Sequence, residues 1–252
     1  MRVITWNING WKAMSNKPYL TELIAEYKPD LLCLQEIKVN EKDVVQLEGY
    51  ECEYHFGEKR GYSGTAIFYK KPIKPIKVKR NRTEGRLLAF ELDRFVLVNL
   101  YVPNSGENLR RLHPSPKFEL SRLEWDAKLI EVLKKFKATA KKPLLVVGDM
   151  NVARTKQDIK NASGNTRNAG FTQEERGSFE NILSTVELRD VWREMHPDKV
   201  QYTYWSYYHK ARERNSGWRI DYALLSKELR AEKCEILDHV MGSDHAPVLL
   251  DL

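Results

Sequence analysis

Short apolar runs of strand length recur from one end of this chain to the other, and most of them close in a polar residue able to do chemistry. Residues 3–6, 31–35, 65–69, 87–92, 95–101, 144–148, 220–225, 233–237 and 247–250 are rich in Val, Ile, Leu and aromatic side chains. Helical periodicity is rarer. Leu20, Leu23, Ile24 and Tyr27 share a face over residues 19–27. Leu120, Leu123, Ala127, Ile130, Leu133 and Phe136 align over 118–136, and a shorter helix is predicted over 173–186. Strands outnumber helices, and hairpin-like pairs coexist with strand–helix–strand units. This predicts a mixed α/β (α+β) protein with at least two sheets, not a doubly wound one. No Gly/Ser linker or composition shift interrupts the 252 residues, so one domain over 1–252 is expected.

The polar closures narrow the chemistry. The first run ends in Asn7-Ile8-Asn9, the second in Gln35-Glu36, the fifth in Tyr101 with Asn104 beyond it, and the sixth in Gly148-Asp149-Met150-Asn151. Asp221 lies in the 220–225 run, and Ser243-Asp244-His245 precedes the last. Asp149 and Asn151 are two apart, which in extended chain aims both the same way. One such closure is ordinary turn chemistry. Many of them suggest convergence, because a carboxylate beside an imidazole at the mouth of an apolar strand is costly to desolvate unless something binds it. Oxygen donors without thiolates suit Mg²⁺, with Mn²⁺ as the alternative. An imidazole held by a carboxylate stabilises phosphoryl charge or moves a proton. Together these parts suit metal-assisted phosphodiester hydrolysis.

Charge and cysteine content bound the setting. The net charge of +7 fits an anionic partner and equally fits simple solubility. Cys33, Cys52 and Cys234 form no C-x-x-C pair, which argues against a disulfide framework or a thiolate zinc site. With no secretory h-region and no apolar run near membrane length, an intracellular protein with no membrane partner is expected. Its compartment would be the cytoplasm in a prokaryote or the nucleus in a eukaryote.

The motifs GDMN (148–151), LQE (34–36) and SDH (243–245) resemble the endonuclease/exonuclease/phosphatase superfamily. Narrower stretches, WNING (6–10), LQEIK (34–38), YVPN (101–104), NAGFTQEER (168–176) and GWRIDY (217–222), resemble exonuclease III-type apurinic/apyrimidinic (AP) endonucleases, especially their eukaryotic and archaeal branch. The likeness covers essentially the whole chain. It implies a DNase I-like four-layer α/β-sandwich, two packed mixed sheets flanked by helices. It also implies Mg²⁺-dependent cutting 5′ to an abasic site in double-stranded DNA during base-excision repair. The products would be a 3′-hydroxyl and a 5′-deoxyribose phosphate, with secondary 3′-phosphodiesterase and 3′–5′ exonuclease activity. A monomer is the default expectation.

By the same resemblance Glu36 and Asp244 are the principal metal ligands, with Asn7, Asn9, Asp149 and Asn151 close by. Asp149 orients or deprotonates the attacking water and Asn151 positions it. His245, held by Asp221, contacts the phosphate, and Tyr101 bonds the phosphate or assists the leaving group. Whether one metal or two take part stays open, as does the identity of the proton handler. Tyr204, Trp218 and Ile220 would wall an abasic pocket; their alternative is ordinary core packing, which for Tyr204 taken alone explains it equally well. Asn104, Asn168, Arg110, Arg111, Arg154 and Arg212 are expected to grip phosphates, alongside Arg60, Lys156, Asn161, Asn165, Arg167, Lys210 and Arg214. The basic run over 70–80 is read as a protected edge strand. Glu107 and Tyr208 stand where relatives place DNA-inserting side chains. A phosphatase of the same superfamily and a non-catalytic DNA-binding module are the competing readings.

Overall fold

Val3, Ile4 and Trp6 are buried although consecutive side chains on a strand face opposite ways, so this strand must be covered on both faces. The computed structural model, which describes residues 1–43, 46–71, 73, 76–77 and 84–252, shows what covers it. The strands are β1 (Arg2–Asn7), β2 (Leu31–Gln35), β3 (Tyr50–His55), β4 (Thr65–Lys70), β5 (Ile76–Lys77), β6 (Leu87–Glu91), β7 (Val96–Tyr101), β8 (Leu144–Asp149), β9 (Leu188–Asp190), β10 (Asp221–Ser226), β11 (Lys233–Ile236) and β12 (Val248–Asp251). The helices are α1 (Trp11–Ser15), α2 (Tyr19–Tyr27), α3 (Arg122–Ala140), α4 (Gln173–Val186) and α5 (Val191–Met195).

Two six-stranded sheets form, in the orders β11-β12-β1-β2-β4-β3 and β5-β6-β7-β8-β10-β9. Each has one parallel pair near its centre, β1 with β2 and β7 with β8. All other strand pairings among the described residues are antiparallel. Val3, Cys33, Ile67, Leu97, Leu145, Val147, Ala223 and Val248 fill the space between the sheets. Outside the second sheet, Leu129 and Leu133 of α3 and Phe179 and Ile182 of α4 pack on Val98, Leu100 and Val146. Outside the first, Met14 of α1 and Leu20 and Leu23 of α2 cover Ile4, Leu32 and Leu34. The result is the expected four-layer sandwich.

This topology gathers the polar strand ends. A parallel pair ends on one edge of its sheet, and an antiparallel neighbour begins there. Asn7 is opposite Gln35, Tyr101 is opposite Asp149, and Asp149 is opposite Asp221 at the start of β10. Val248 of β12 pairs with Thr5, which brings the preceding Asp244-His245 to the same rim.

Several boundaries differ from the sequence reading. Helix α3 starts at Arg122 and not at 118, because Ser121 caps it, accepting from the Glu124 amide while the Glu124 carboxylate takes the Ser121 amide. Strand β3 was unread because Glu51 and Glu53 interrupt its apolar pattern. Within the basic run, Ile76–Lys77 pairs with β6 at the sheet edge, while residues 72, 74–75 and 78–80 lie outside those described. Among the described residues no helix is long and apolar enough to cross a membrane.

Candidate active site

Three of the polar residues sit just past a strand end in the left-handed region, Asn9 (φ 49°), Glu36 (φ 51°) and Asn151 (φ 48°). A non-glycine residue there is uncommon and strained, and such strain concentrates at functional sites. The bend corrects one expectation. Asp149 and Asn151 meet because the chain turns back after β8, not because they alternate along it. Asp149 Oδ1 accepts from the Asn151 amide at 2.8 Å, and Oδ2 from Asn151 Nδ2 at 3.2 Å.

A continuous polar network joins the two sheets. Asn7, fully buried, donates from Nδ2 to Asp149 Oδ2 at 2.9 Å and to Glu36 Oε1 at 3.1 Å. Asn9 Nδ2 donates to Asp244 Oδ1 at 3.0 Å. Between these stands Lys38, unread in the sequence as a site residue. Its Nζ lies 2.7 Å from Glu36 Oε2 and 2.5 Å from Asn9 Oδ1. Burial alone would raise the Glu36 carboxyl, but the charge and hydrogen bond of Lys38 outweigh it and hold Glu36 below its ordinary range. The donors that meet here are all oxygen, and a positive charge is already accommodated between Glu36 and Asn9. That donor set fits a hard divalent cation.

The second half of the site is a buried triad. Asp149, Asp221 and His245 place one ligand-type atom each within 4.8 Å of one another. His245 Nδ1 is 2.8 Å from Asp221 Oδ2, and Nε2 is 4.0 Å from Asp149 Oδ2. Burial opposes the imidazolium, yet the charge and hydrogen bond of Asp221, then Asp149 and Asp244, raise His245 to about 10. Burial, then the Asp221 charge, push Asp149 up to about 7. A charged imidazolium has no lone pair for a metal, so the triad suits proton handling and phosphate contact. Burial and the Glu36 charge raise the Tyr101 phenol well above its ordinary value, leaving it a hydrogen-bond donor at neutral pH.

The linkage has a definite sign. Because the folded state raises His245, the stability it contributes is fully present below its ordinary 6.5 and is lost as pH rises through about 10. Asp221→Asn removes the largest opposing charge, so this alkaline loss of stability should move toward neutral pH. Denaturant melts between pH 6 and 10.5 check it, and an unmoved alkaline limb would rule it out.

A cavity of about 690 Å³ opens over the network. Tyr204, Trp218 and Ile220 form its apolar end, with the Tyr204 ring 4.9 Å from that of His245. Residue 170 must be glycine here. Its φ is +89°, and a Cβ would stand 3.3 Å from Trp218 Cζ3. Glu175, which caps α4 with Thr172, also accepts from the Gly170 amide at 2.8 Å and so fixes this loop.

The expected DNA contacts divide. Asn104, Glu107, Arg167 and Asn168 line the cavity. Arg60, Arg110, Lys156, Asn161, Lys210 and Arg214 are exposed on loops, and Asn165 is half-buried, bonding the Asn161 carbonyl. One expectation is corrected, and two further arginines are engaged within the chain. Arg111 is buried, bound to Glu84 at 2.9 Å and to the Leu120 carbonyl. Arg154 is clamped on Glu180 at 2.5 and 3.0 Å. Arg212 donates to the carbonyls of Ser243, Asp238 and Val240 and stacks on Trp205. All three cations are committed to this chain's own acceptors. Tyr208 is 78% exposed and free to meet a partner, whereas Tyr207, 68% exposed, hydrogen-bonds Asn9.

The chain matches known proteins along its length. The model of the Endonuclease/Exonuclease/phosphatase family matches residues 4–245. An exodeoxyribonuclease of Bacillus subtilis is 37% identical over 99% of this chain and 98% of its own length. A DNA-(apurinic or apyrimidinic site) endonuclease of Dictyostelium discoideum is 40% identical over 98% of this chain and 69% of its own. The crystal structure of an AP endonuclease from Leishmania major superposes with a TM-score of 0.89 at 30% identity, covering 99% of this chain and 86% of that one.

Proposed function

The chain belongs to the endonuclease/exonuclease/phosphatase family, and from that premise we propose that it is a DNA-repair AP endonuclease with exonuclease activity. It cuts the phosphodiester 5′ to an abasic site in duplex DNA and leaves a 3′-hydroxyl and a 5′-deoxyribose phosphate. The observation that carries this reading is the apolar end formed by Tyr204, Trp218 and Ile220 directly beside His245. It offers a dry wall for a bare sugar next to a cationic phosphate contact. Extruding a sugar that has no base pair to break is the cheaper event.

The mechanism follows from the side chains. Glu36 and Asp244, with Asn9, would hold Mg²⁺ or Mn²⁺, which when bound neutralises charge building on the phosphate and the departing oxygen. Asp149 takes a proton from water as the water oxygen attacks phosphorus. Asn7 and Asn151 hold that carboxylate, and hence the water, in line. The His245 imidazolium donates to a non-bridging oxygen, fixed in tautomer and direction by Asp221. As the bond from phosphorus to the 3′ oxygen breaks, that oxygen receives a proton, and Tyr101 is the donor placed to give it. One chain supplies every group named here, so the reaction needs no second copy of it.

The test is incision of an end-labelled duplex with one synthetic abasic site, with Mg²⁺ and with EDTA, beside an undamaged duplex. Metal-dependent cutting 5′ to the lesion with a 3′-hydroxyl product is expected. A folded, metal-supplied protein that leaves the duplex intact would overturn the reading, and hydrolysis of phosphorylated small molecules would then mark a phosphatase. Trp218→Ala opens the wall. It should lower kcat/KM on abasic duplex by about 10²-fold through misplacement of the sugar, measured where a melt shows the variant folded, because Trp218 also packs on Ile159 and Phe171. A change under threefold would exclude Trp218 from the pocket's work.

A further inference from the structure

One buried cation beside the site has no part in the chemistry above. Arg86 is only 5% exposed, and its guanidinium carbon lies 4.4 Å from the centroid of the Tyr101 ring. The backbone ties the same two residues together, since the Tyr101 amide donates to the Arg86 carbonyl at 2.8 Å. Arg86 Nη1 returns a bond to the Tyr101 carbonyl at 3.3 Å. Nη2 donates to the Tyr62 hydroxyl at 2.8 Å, and Nε pairs with Glu84. Glu84 is shared with Arg111, also buried. Among the described residues, one carboxylate thus ties two guanidinium groups together.

That composition is a poor device for stability alone. A buried ion cluster is weak evidence for stability, because well-packed apolar residues commonly do at least as well in such places. What only arginine supplies is a planar cation that stacks on an aromatic face while its fork of donors bonds around the edge. The ring it stacks on carries the hydroxyl that hydrogen-bonds Glu36.

We propose that Arg86 is a positioning residue for strand incision: braced by Tyr62 and Glu84, its guanidinium clamps the Tyr101 ring so that the phenol points at Glu36 and the departing oxygen. The proposal rests on the functional reading given above. Tyr62 is the outer brace, 37% exposed, and its hydroxyl fixes the guanidinium plane against rotation. Neither residue touches the reacting atoms. Both act through Tyr101.

The full-length chain is assayed with Arg86→Lys, Tyr62→Phe, Tyr101→Phe and the Arg86→Lys/Tyr101→Phe double variant. Arg86→Lys keeps the charge beside Glu84 and loses the stack and the fork. It should lower kcat about tenfold through misplacement of the phenol, with KM within about twofold. Tyr62→Phe should give a smaller fall of the same kind, and it removes only one hydroxyl should the lysine variant fold poorly. In the Tyr101→Phe background the Arg86→Lys change should have almost no further effect, because residues acting as a unit are non-additive. An equal fall in both backgrounds would overturn the proposal, since damage to the fold does not depend on Tyr101. The second readout needs no substrate. The Tyr101 ring resonances, assigned by their loss in Tyr101→Phe, should shift in Arg86→Lys and in Tyr62→Phe. Unmoved resonances would also overturn it. A wild-type chain that fails to cut abasic DNA refutes the functional reading, while the resonances still judge the clamp.

Discussion

Asp149→Asn is expected to lower incision of abasic duplex by roughly 10²- to 10⁴-fold, the range for removing a positioned general base, with the affinity for abasic duplex nearly kept. The side chain is 1% exposed and accepts from Asn7 and from the amide and side chain of Asn151, which leaves a lone pair on Oδ1 for the water. Asparagine fills the same volume, so the fold should persist. It loses one acceptor, and the Asn7 or Asn151 amide gives up a bond. What disappears is the basicity. Burial and Asp221 hold this carboxyl at about 7, where it is both ionisable and basic enough to take a proton from water near neutral pH. In the parent the rate should therefore rise with pH toward neutrality. A cation at Glu36 would ease the repulsion between Glu36 and Asp149 and move that rise lower. The variant should lack the rise altogether. Single-turnover rates across pH 5–9 with manganese or magnesium check both statements. A variant within tenfold of the parent, still showing the rise, would move the base elsewhere.

The second large effect is on stability. Arg219→Met should cost about 3–5 kcal/mol, the usual consequence of stripping one partner from a buried ion network. Arg219 is fully buried and donates to Asp158 at 2.6 Å and to Asp190 at 3.0 and 2.6 Å. It also stacks over Tyr222 at 4.4 Å and Trp192 at 5.1 Å. Without it Asp158 keeps Arg193 at 2.6 Å, while Asp190 keeps Arg154 at 3.9 Å and the Arg193 amide, which it caps, at 3.3 Å. Asp190 is then a buried charge whose remaining cation lies at the limit of an ion pair. Methionine fills much of the volume, which confines the loss to the charges. Urea melts at pH 7 give the number, and a loss below 1 kcal/mol would mean that the network is dispensable. The residue also separates Trp218 from Ile220, so its inward pull turns both of them to the cavity. Loss of stability here and loss of rate in Trp218→Ala therefore report on opposite faces of one short segment.

How far the sequence could be read depended on where each partner lies. Glu36, Asp149 and Asp244 were legible because each follows or precedes an apolar run whose direction a two-sheet topology fixes. Helix α4 was legible to the residue, since Thr172 and Glu175 are the two ends of its capping box. The same signal stood at Ser121 and Glu124, and the apolar stripe running back to 118 hid it. The resemblance leads one to expect Arg111, Arg154 and Arg212 on DNA phosphates. Their acceptors are distant carboxylates and carbonyls that no local pattern announces. Arg86 was silent for the same reason, and Lys38 was quoted within LQEIK without a task. A cation is read from sequence only as a charge. Whether it meets solvent, phosphate or a neighbouring aromatic ring is decided by tertiary packing.

The parallel pairs at the two sheet centres have one more consequence. The groups proposed to hold the cation, Glu36, Asn9 and Asp244, all belong to the β1–β2–β12 side, and those proposed to activate water, Asp149, Asn151 and Asp221, all belong to the β8–β10 side. Either half alone is chemically mute. One would capture a divalent ion and have nothing to activate water with, and the other would hold a base with no charge neutraliser. Docking of the sandwich halves is thus an interlock, in which Asn7, hydrogen-bonded to both Glu36 and Asp149, is the pin. On the proposed roles, a partly folded chain of this kind should not nick DNA.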